Sequence, residues 1–223
     1  MTETCIVSAN RPGDNRVGSI GKLFPGIEAR IGEDGEISLR GDNVMLGYYK
    51  DPRGTAAVMN EGWFATGDVG HIDQDGFLFI TDRKKDLFKL SNGKYVAPQQ
   101  IESLLKQSPL VNQVVVIGAS RKFPAALVVP EWEALRNALR EAGETAAESH
   151  AQLTNQAAAI KLVQRDLTAM TAHLADYERV RRVALLAEEF SIDRGELTPT
   201  LKVKRPVIDE RYHDLIESLY QSN

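Results

Sequence analysis

The sequence predicts an α+β fold in two parts, a short β-rich part followed by a part that combines a small mixed sheet with several helices. Three observations carry that expectation. Up to about residue 80, glycine-containing turns separate short β-like runs. Farther on, two apolar runs, Val111–Ile117 and Ala125–Val129, have the length and side-chain branching of buried strands. Elsewhere in the second part, apolar residues recur every three or four positions, the period of a helix face.

The elements follow in order. Ala29–Ile31 and Glu36–Leu39 flank Gly32-Glu33-Asp34-Gly35, which reads as a hairpin. Val69–Ile72 and Phe77–Ile80 flank Asp73-Gln74-Asp75-Gly76, a second hairpin. Asp86–Leu90 and Lys94–Val96 read as short strands around Ser91-Asn92-Gly93. Pro98 suits a first helical turn, where its missing N–H costs nothing, and that helix continues through Ile101, Leu104 and Leu105. Trp132, Leu135 and Leu139 share a helical face, and so do Ile160, Val163, Leu167, Met170 and Leu174. Ala142–His150, small and polar, reads as the loop between them. Val180–Ala187 reads as a strand. Ile208, Tyr212, Leu215 and Leu219 make one last amphipathic helix, opened by Pro206 with Asp209 and Glu210 in its first turn, where acids suit the helix dipole. These stripes are expected to form core rather than ligand surface.

Composition excludes several classes. With 43% hydrophobic and 26% charged residues, the chain is that of an ordinary globular protein. A net charge of -4 gives no basic field for nucleic acid. The longest apolar runs are too short to span a bilayer, and no signal peptide opens the sequence. A single cysteine, Cys5, excludes an internal disulfide and fits a reducing, cytoplasmic compartment. His71, His150, His173 and His213 stand at no metal-ligand spacing, and there is no Gly-x-Ser-x-Gly elbow.

The stretch from Asp82 to Pro98 reads Asp-Arg-Lys-Lys-Asp-Leu-Phe-Lys-Leu-Ser-Asn-Gly-Lys-Tyr-Val-Ala-Pro. Such a charge run is most often a solvated face. Gly93 serves a simple turn or a close approach of backbone to ligand. The whole stretch, however, closely resembles the hinge and following loop of long-chain acyl-CoA synthetases, members of the adenylate-forming enzyme superfamily. Three further segments resemble the same family. Thr2-Glu3-Thr4 is similar to the end of its Gly-x-Thr-Glu loop, Trp63-Phe64-Ala65-Thr66-Gly67-Asp68 to its Trp-x-x-Thr-Gly-Asp segment, and Leu197–Pro206 to its C-terminal lysine segment. Gly18–Gly26 and Leu39–Tyr49 resemble two of its turn-forming runs. The likeness extends over nearly the whole chain, and the order of the motifs makes it specific where each alone is weak.

The resemblance implies a role for each position. Thr2 would contact the adenylate phosphate and Glu3 would ligate Mg²⁺, a hard cation suited to a carboxylate. Asp68 would accept hydrogen bonds from both ribose hydroxyls, and Arg83 would reach the ribose and phosphate side of the adenylate. Lys85 falls on the hinge position. Ser91, Asn92 and Gly93 would line the pantetheine channel of CoA. Lys202 would be the catalytic lysine, bridging carboxylate and α-phosphate as charge builds. Many relatives carry Gly before this lysine, where Leu201 stands here, and Lys204 is a rival. The implied layout is the last β-rich part of an adenylation domain over 1–82, a hinge over 83–86 and a mobile α+β lid over 87–223. The implied reaction joins a fatty acid to CoA with ATP, leaving AMP, so ATP/AMP, Mg²⁺ and CoA are the expected cofactors and co-substrates. The family's Ser/Thr/Gly-rich phosphate loop and acyl tunnel are not in this sequence, so an N-terminal adenylation domain is an expected partner and the chain alone is expected to be inactive. Peripheral association with the inner face of a membrane is compatible with greasy substrates, although no basic amphipathic helix argues for it. A fatty acyl-AMP ligase serving a carrier protein, and a non-catalytic interaction module, remain as alternatives.

Overall fold

The computed structural model describes residues 1–221. The chain divides into two compact units, Met1–Leu87 and a second beginning at Phe88.

The first unit is built on strands. In chain order they are β1 (Ser8–Ala9), β2 (Lys22–Leu23), β3 (Glu28–Ile31), β4 (Glu36–Arg40), β5 (Met59–Asn60), β6 (Trp63–Ile72) and β7 (Leu78–Arg83), with one helix, α1 (Pro52–Val58), before β5. β3 and β4 form the first expected hairpin, pairing Glu28 with Arg40 and Ile31 with Ile37. The Asp34 carboxylate accepts from the Glu36 N–H at 3.1 Å and closes its turn. β6 and β7 form the second, closed by Asp73 Oδ1, which accepts from the N–H groups of Asp75 and Phe77. β6 is the central strand, pairing with β4, β5 and β7. Its bulge at Val69/Gly70 requires a glycine, since a Cβ on Gly70 would lie 1.9 Å from the Phe79 carbonyl oxygen. Ile37, Leu39 and Leu78 form the core of this unit, covered by Val7, Ile20, Leu23 and Ile27. The unit ends in a 3-10 turn, Lys84–Asp86.

The second unit starts with a two-stranded hairpin, β8 (Phe88–Lys89) and β9 (Tyr95–Val96). α2 (Pro98–Leu105) follows, then β10 (Val111–Ile117), β11 (Ala125–Pro130), α3 (Trp132–Glu141), α4 (His150–Leu153), α5 (Ala157–Met170), β12 (Arg182–Leu185), α6 (Arg205–Arg211) and α7 (His213–Tyr220). The sheet is mixed: β10 and β11 run antiparallel, β11 and β12 parallel. Both faces are covered. Val114, Val116, Ala126, Val128, Val183 and Leu185 point into one core with Ile101, Leu135 and Leu167 of α2, α3 and α5. Val115, Ile117, Leu127, Val129 and Ala184 point into another with Ile208 and Ile216 of α6 and α7. Burial on two faces is why these strands read as unbroken apolar runs.

Several boundaries differ from expectation. The last helix is two helices, broken at Tyr212 (φ −104°, ψ 19°), whose hydroxyl donates to the buried Glu196 carboxylate at 2.8 Å. α5 stops at Met170, so Leu174 packs from a turn beyond the helix rather than from its face. The strand expected at Asp86–Leu90 shortens to Phe88–Lys89 because the residues before it form the 3-10 turn. The strand expected at Val180–Ala187 pairs only over Arg182–Leu185.

Candidate active site

The first unit brings three of the expected site residues, Asp68, Arg83 and Lys85, onto adjoining positions. Asp68 on β6 and Arg83 at the end of β7 are direct partners in the strand register. Their side chains meet, Arg83 Nε donating to Asp68 Oδ1 at 2.8 Å, with the carboxylate largely sheltered and the guanidinium half exposed. Thr66 fixes the turn before Asp68: its hydroxyl donates to the Ile37 carbonyl at 2.7 Å and accepts from the Asp68 N–H at 3.0 Å. Gly67 adopts φ +70°, in the region that favours glycine, and its N–H donates to Glu36 Oε1 at 3.0 Å. Gly67, Arg83, Lys84 and Lys85 line an open recess of about 290 Å³. A carboxylate beside a guanidinium at such a recess can receive a vicinal diol and an anionic group together.

Lys84, which the sequence reading left inside the charge run, is anchored. Its ammonium lies 2.7 Å from both Asp34 and Glu36. The two carboxylates push the lysine well above its ordinary range, and in return its ammonium holds Asp34 below the usual aspartate value. Lys85, next along, is exposed.

Thr2 and Glu3 lie in the opening turn of the same unit, Thr2 exposed and Glu3 half-buried. The Glu3 carboxylate accepts from the Tyr48 hydroxyl at 3.3 Å, and its carbonyl accepts from the Met45 N–H at 2.7 Å. Among the described residues no group of three or more His, Cys, Asp or Glu side chains gathers as a metal cage. A lone carboxylate fits Mg²⁺, which is commonly held by one or two carboxylates together with substrate phosphates.

In the second unit, Ser91-Asn92-Gly93 forms the exposed turn of the β8–β9 hairpin. Gly93 takes φ +85° and its N–H donates to the Leu90 carbonyl, while Asn92 Oδ1 accepts from the Lys94 N–H at 3.0 Å. The Ser91 N–H donates to the Arg121 carbonyl at 2.9 Å and fixes the turn to the loop after β10.

Lys202 projects from a second tight loop. The Lys202 carbonyl accepts from the Thr198 N–H at 2.8 Å, and the Thr198 hydroxyl accepts from the Lys202 N–H at 3.0 Å. Leu197 and Val203 pair across its base. Leu201 at the tip has φ +59°, a conformation that glycine adopts freely and leucine does not. Glycine is the residue this backbone prefers. Both Lys202 and its rival Lys204 are exposed. Lys204 stands at the loop's exit, where its N–H donates to the Glu196 carbonyl at 2.8 Å, whereas Lys202 sits beside the tip.

The base of that loop rests on Glu196, a fully buried carboxylate that the sequence reading missed. Oε2 accepts from the Ser191 N–H at 2.9 Å and Arg194 Nε at 3.0 Å, and Oε1 accepts from Tyr212 at 2.8 Å and faces Arg211 Nε at 3.3 Å. Burial and the neighbouring Glu196 carboxylate push the Tyr212 phenol up, which keeps it a donor. Arg205, just beyond the loop, binds the Val116 carbonyl at 2.8 Å and Glu102 at 2.7 Å, tying the start of α6 to the central sheet and α2.

A β-rich unit carrying a Thr-Gly-Asp turn paired to an arginine, followed by an α+β unit with an exposed lysine loop, belongs to a known class. Residues 85–223 match the AMP-binding enzyme C-terminal domain, and the chain belongs to that family of AMP-binding enzymes. Among its relatives, the long-chain-fatty-acid–CoA ligase FadD15 of Mycobacterium tuberculosis is 36% identical over 214 residues, 96% of this chain and 36% of that protein. Long-chain-fatty-acid–CoA ligase 1 of Homo sapiens is 37% identical over 227 residues, 95% of this chain and 32% of that protein. The chain thus spans about a third of the length of the curated relatives it matches. Of solved structures, the A-PCP didomain of a carboxylic acid reductase from Segniliparus rugosus in complex with AMP aligns with TM-score 0.70 and 30% identity, over 89% of this chain and 28% of that one. O-succinylbenzoate coenzyme A synthetase of Bacillus subtilis in complex with AMP aligns with TM-score 0.64 and 27% identity, over 92% and 39%.

Proposed function

We propose that this chain is the C-terminal portion of an ATP-dependent long-chain fatty acid–CoA ligase. The reaction runs in two steps. The fatty acid carboxylate attacks the α-phosphorus of ATP, giving acyl-AMP and pyrophosphate. The CoA thiol then attacks the acyl carbonyl, giving acyl-CoA and releasing AMP. The observation that carries the reading is the register pairing of Asp68 with Arg83, which lines a recess with Gly67, Lys84 and Lys85. It supports a reading in which Asp68 is the diol acceptor and Arg83 the phosphate-seeking cation, two residues before Lys85.

In this reading Asp68 accepts from the ribose hydroxyls, and Arg83 moves from Asp68 toward the ribose and phosphate side of the adenylate. Thr2 donates to a phosphate oxygen. Glu3 would hold Mg²⁺, which supplies charge neutralisation on the phosphates when bound. Lys202 offsets the charge that grows between carboxylate and α-phosphate during adenylation. A turn about Lys85 exchanges that lysine for the Ser91-Asn92-Gly93 turn, which lines the path of the pantetheine thiol in the second step. The identities of 36% and 37% to long-chain ligases over nearly this whole chain support the fatty acid and CoA as substrates.

The test is ATP-dependent acyl-CoA formation from palmitate by a longer protein in which this chain follows an adenylation domain, with the 223-residue chain alone beside it. Product from the longer protein only is the expected result. Product with a holo-carrier protein but not with CoA would change the acceptor. Failure of both proteins to bind any adenylate would leave the interaction module. No helix among the described residues is long and apolar enough to cross a membrane. Flotation of the longer protein with anionic vesicles would test peripheral attachment.

A further inference from the structure

Glu36 lies outside every motif that the sequence reading singled out, yet its one carboxylate touches two of them. Oε1 accepts from the Gly67 N–H at 3.0 Å, inside the turn that presents Asp68. Oε2 meets the Lys84 ammonium at 2.7 Å, one residue before Lys85, the proposed pivot of the hinge. The Glu36 side chain is only 16% exposed, so it is held against the unit rather than solvated. Asp34, from the same hairpin, gives Lys84 a second partner at 2.7 Å. Arg83, between these contacts, is the partner of Asp68.

We propose that Glu36 is a positioning residue that ties the ribose-binding turn to the fixed side of the hinge, through the Gly67 N–H and the Lys84 ammonium. The inference rests on the ligase reading for the words ribose and hinge, but the physical coupling does not. A sugar that takes both oxygens of the Asp68 carboxylate competes with Arg83 for Oδ1. With Lys84 clamped by two carboxylates, the backbone change that follows is confined to Lys85 and beyond. The same clamp keeps the Gly67 N–H occupied, so the turn does not open when Arg83 leaves. Loss of the clamp therefore disturbs both ends, and loss of one end is felt at the other.

The chemistry separates the two contacts. Glu36→Gln keeps an oxygen for Gly67 but loses the charge that holds Lys84. Glu36→Ala loses both. Lys84→Met loses the ammonium alone. Amide hydrogen exchange on the 223-residue chain reads the coupling without any assay of activity. Glu36→Ala is expected to speed exchange both at Gly67 and over residues 85–87. Lys84→Met is expected to speed it at Gly67 as well, by up to about fivefold, the fold-change that corresponds to the roughly 1 kcal/mol ceiling of a half-exposed ion pair. In the longer ligase, Glu36→Ala should raise KM for ATP and shift the ratio of thioester formation to adenylation. Glu36→Gln should shift the ratio and raise that KM by less than Glu36→Ala does. Adding Lys84→Met to Glu36→Gln should shift the ratio by less than the sum of the two single effects, because they share the Glu36–Lys84 contact and the second change adds only the loss of Asp34.

Independent, additive effects of Glu36→Gln and Lys84→Met would overturn the proposal, as would unchanged Gly67 exchange in Lys84→Met. Coupled exchange without any change in KM for ATP would leave the tie standing and refute the ribose role of the Gly67–Asp68 turn. Should Glu36→Ala fail to fold, Glu36→Gln and Lys84→Met decide the matter between them.

Discussion

At the scale of single residues, the groups proposed to do chemistry are distinct from the groups that hold them. Lys202 is exposed beside a loop tip whose backbone is fully engaged, so its ammonium is available to a ligand while its Cα is fixed. Lys202→Ala is expected to slow adenylate formation by about 100-fold or more, as for loss of one preorganised charge-stabilising donor. It should leave thioester formation from supplied acyl-AMP near native. Single-turnover assays of each half-reaction check this, and Lys204→Ala serves as the comparison. Leu201 gives a second test. It is 69% exposed, so its side chain contributes little packing, and its φ of +59° is strained. Leu201→Gly should be neutral or stabilising by up to about 1 kcal/mol, the relief of strain exceeding the entropy of glycine. Leu201→Val should destabilise by about 1 kcal/mol, because a β-branched residue fits a positive φ worst. Urea denaturation of the three proteins separates these outcomes. Asp68, Arg83 and Lys202 could be singled out in the sequence because their motifs carry distinctive letters. Glu196 and Glu36 could not, because a buried carboxylate and a surface one are the same letter, and only the fold decides which donors surround it.

At the scale of elements, the two loops that carry the proposed chemistry are held by different means. The Ser91–Gly93 turn hangs on backbone hydrogen bonds, whereas the lysine loop stands on a buried charge. Glu196→Ala would leave Arg194, Tyr212 and the Ser191 N–H without their shared acceptor. Loss of a buried charged acceptor from its donors costs about 1–3 kcal/mol, the remaining arginines being partly exposed. The midpoint of denaturation should fall accordingly, and exchange at the Lys202 and Lys204 amides should rise. Lys85→Pro tests the hinge: fixing φ at that residue should slow the second half-reaction more than the first, and equal slowing would remove Lys85 from that role. The Lys84 clamp also has a direction in pH. Asp34 is held below the ordinary aspartate value, so its contribution is complete above about pH 4 and is lost as pH falls through its depressed value. Protection over residues 85–87, corrected for the intrinsic pH dependence of amide exchange, should therefore fall on acidification before the unit unfolds. Hairpins and the helices after Pro98 and Glu131 were legible because turn residues and apolar period mark them. α1 was not, since none of its residues is buried and it has no apolar face to announce it, although Asp51 caps it through the Gly54 N–H. The break at Tyr212 was hidden because the apolar spacing runs through it unbroken.

At the scale of the whole molecule, the division into a β-rich and a mixed part could be read from turn density, but the order of strands in the second unit could not. Two unbroken apolar runs announce burial on both faces without saying which neighbour is parallel. The answer, β12 beside β11, has a consequence for synthesis. Residues 131–181 separate the two strands, so Ala125–Pro130 must leave the ribosome and wait for Arg182–Leu185 with one row of backbone N–H and C=O groups bare. Every side chain in that waiting strand is buried in the finished fold, and the strand carries no charge to repel a neighbour. A nascent chain stopped short of Arg182 should therefore associate through that open edge, and ribosome-bound chains released before and after residue 190 should differ sharply in solubility.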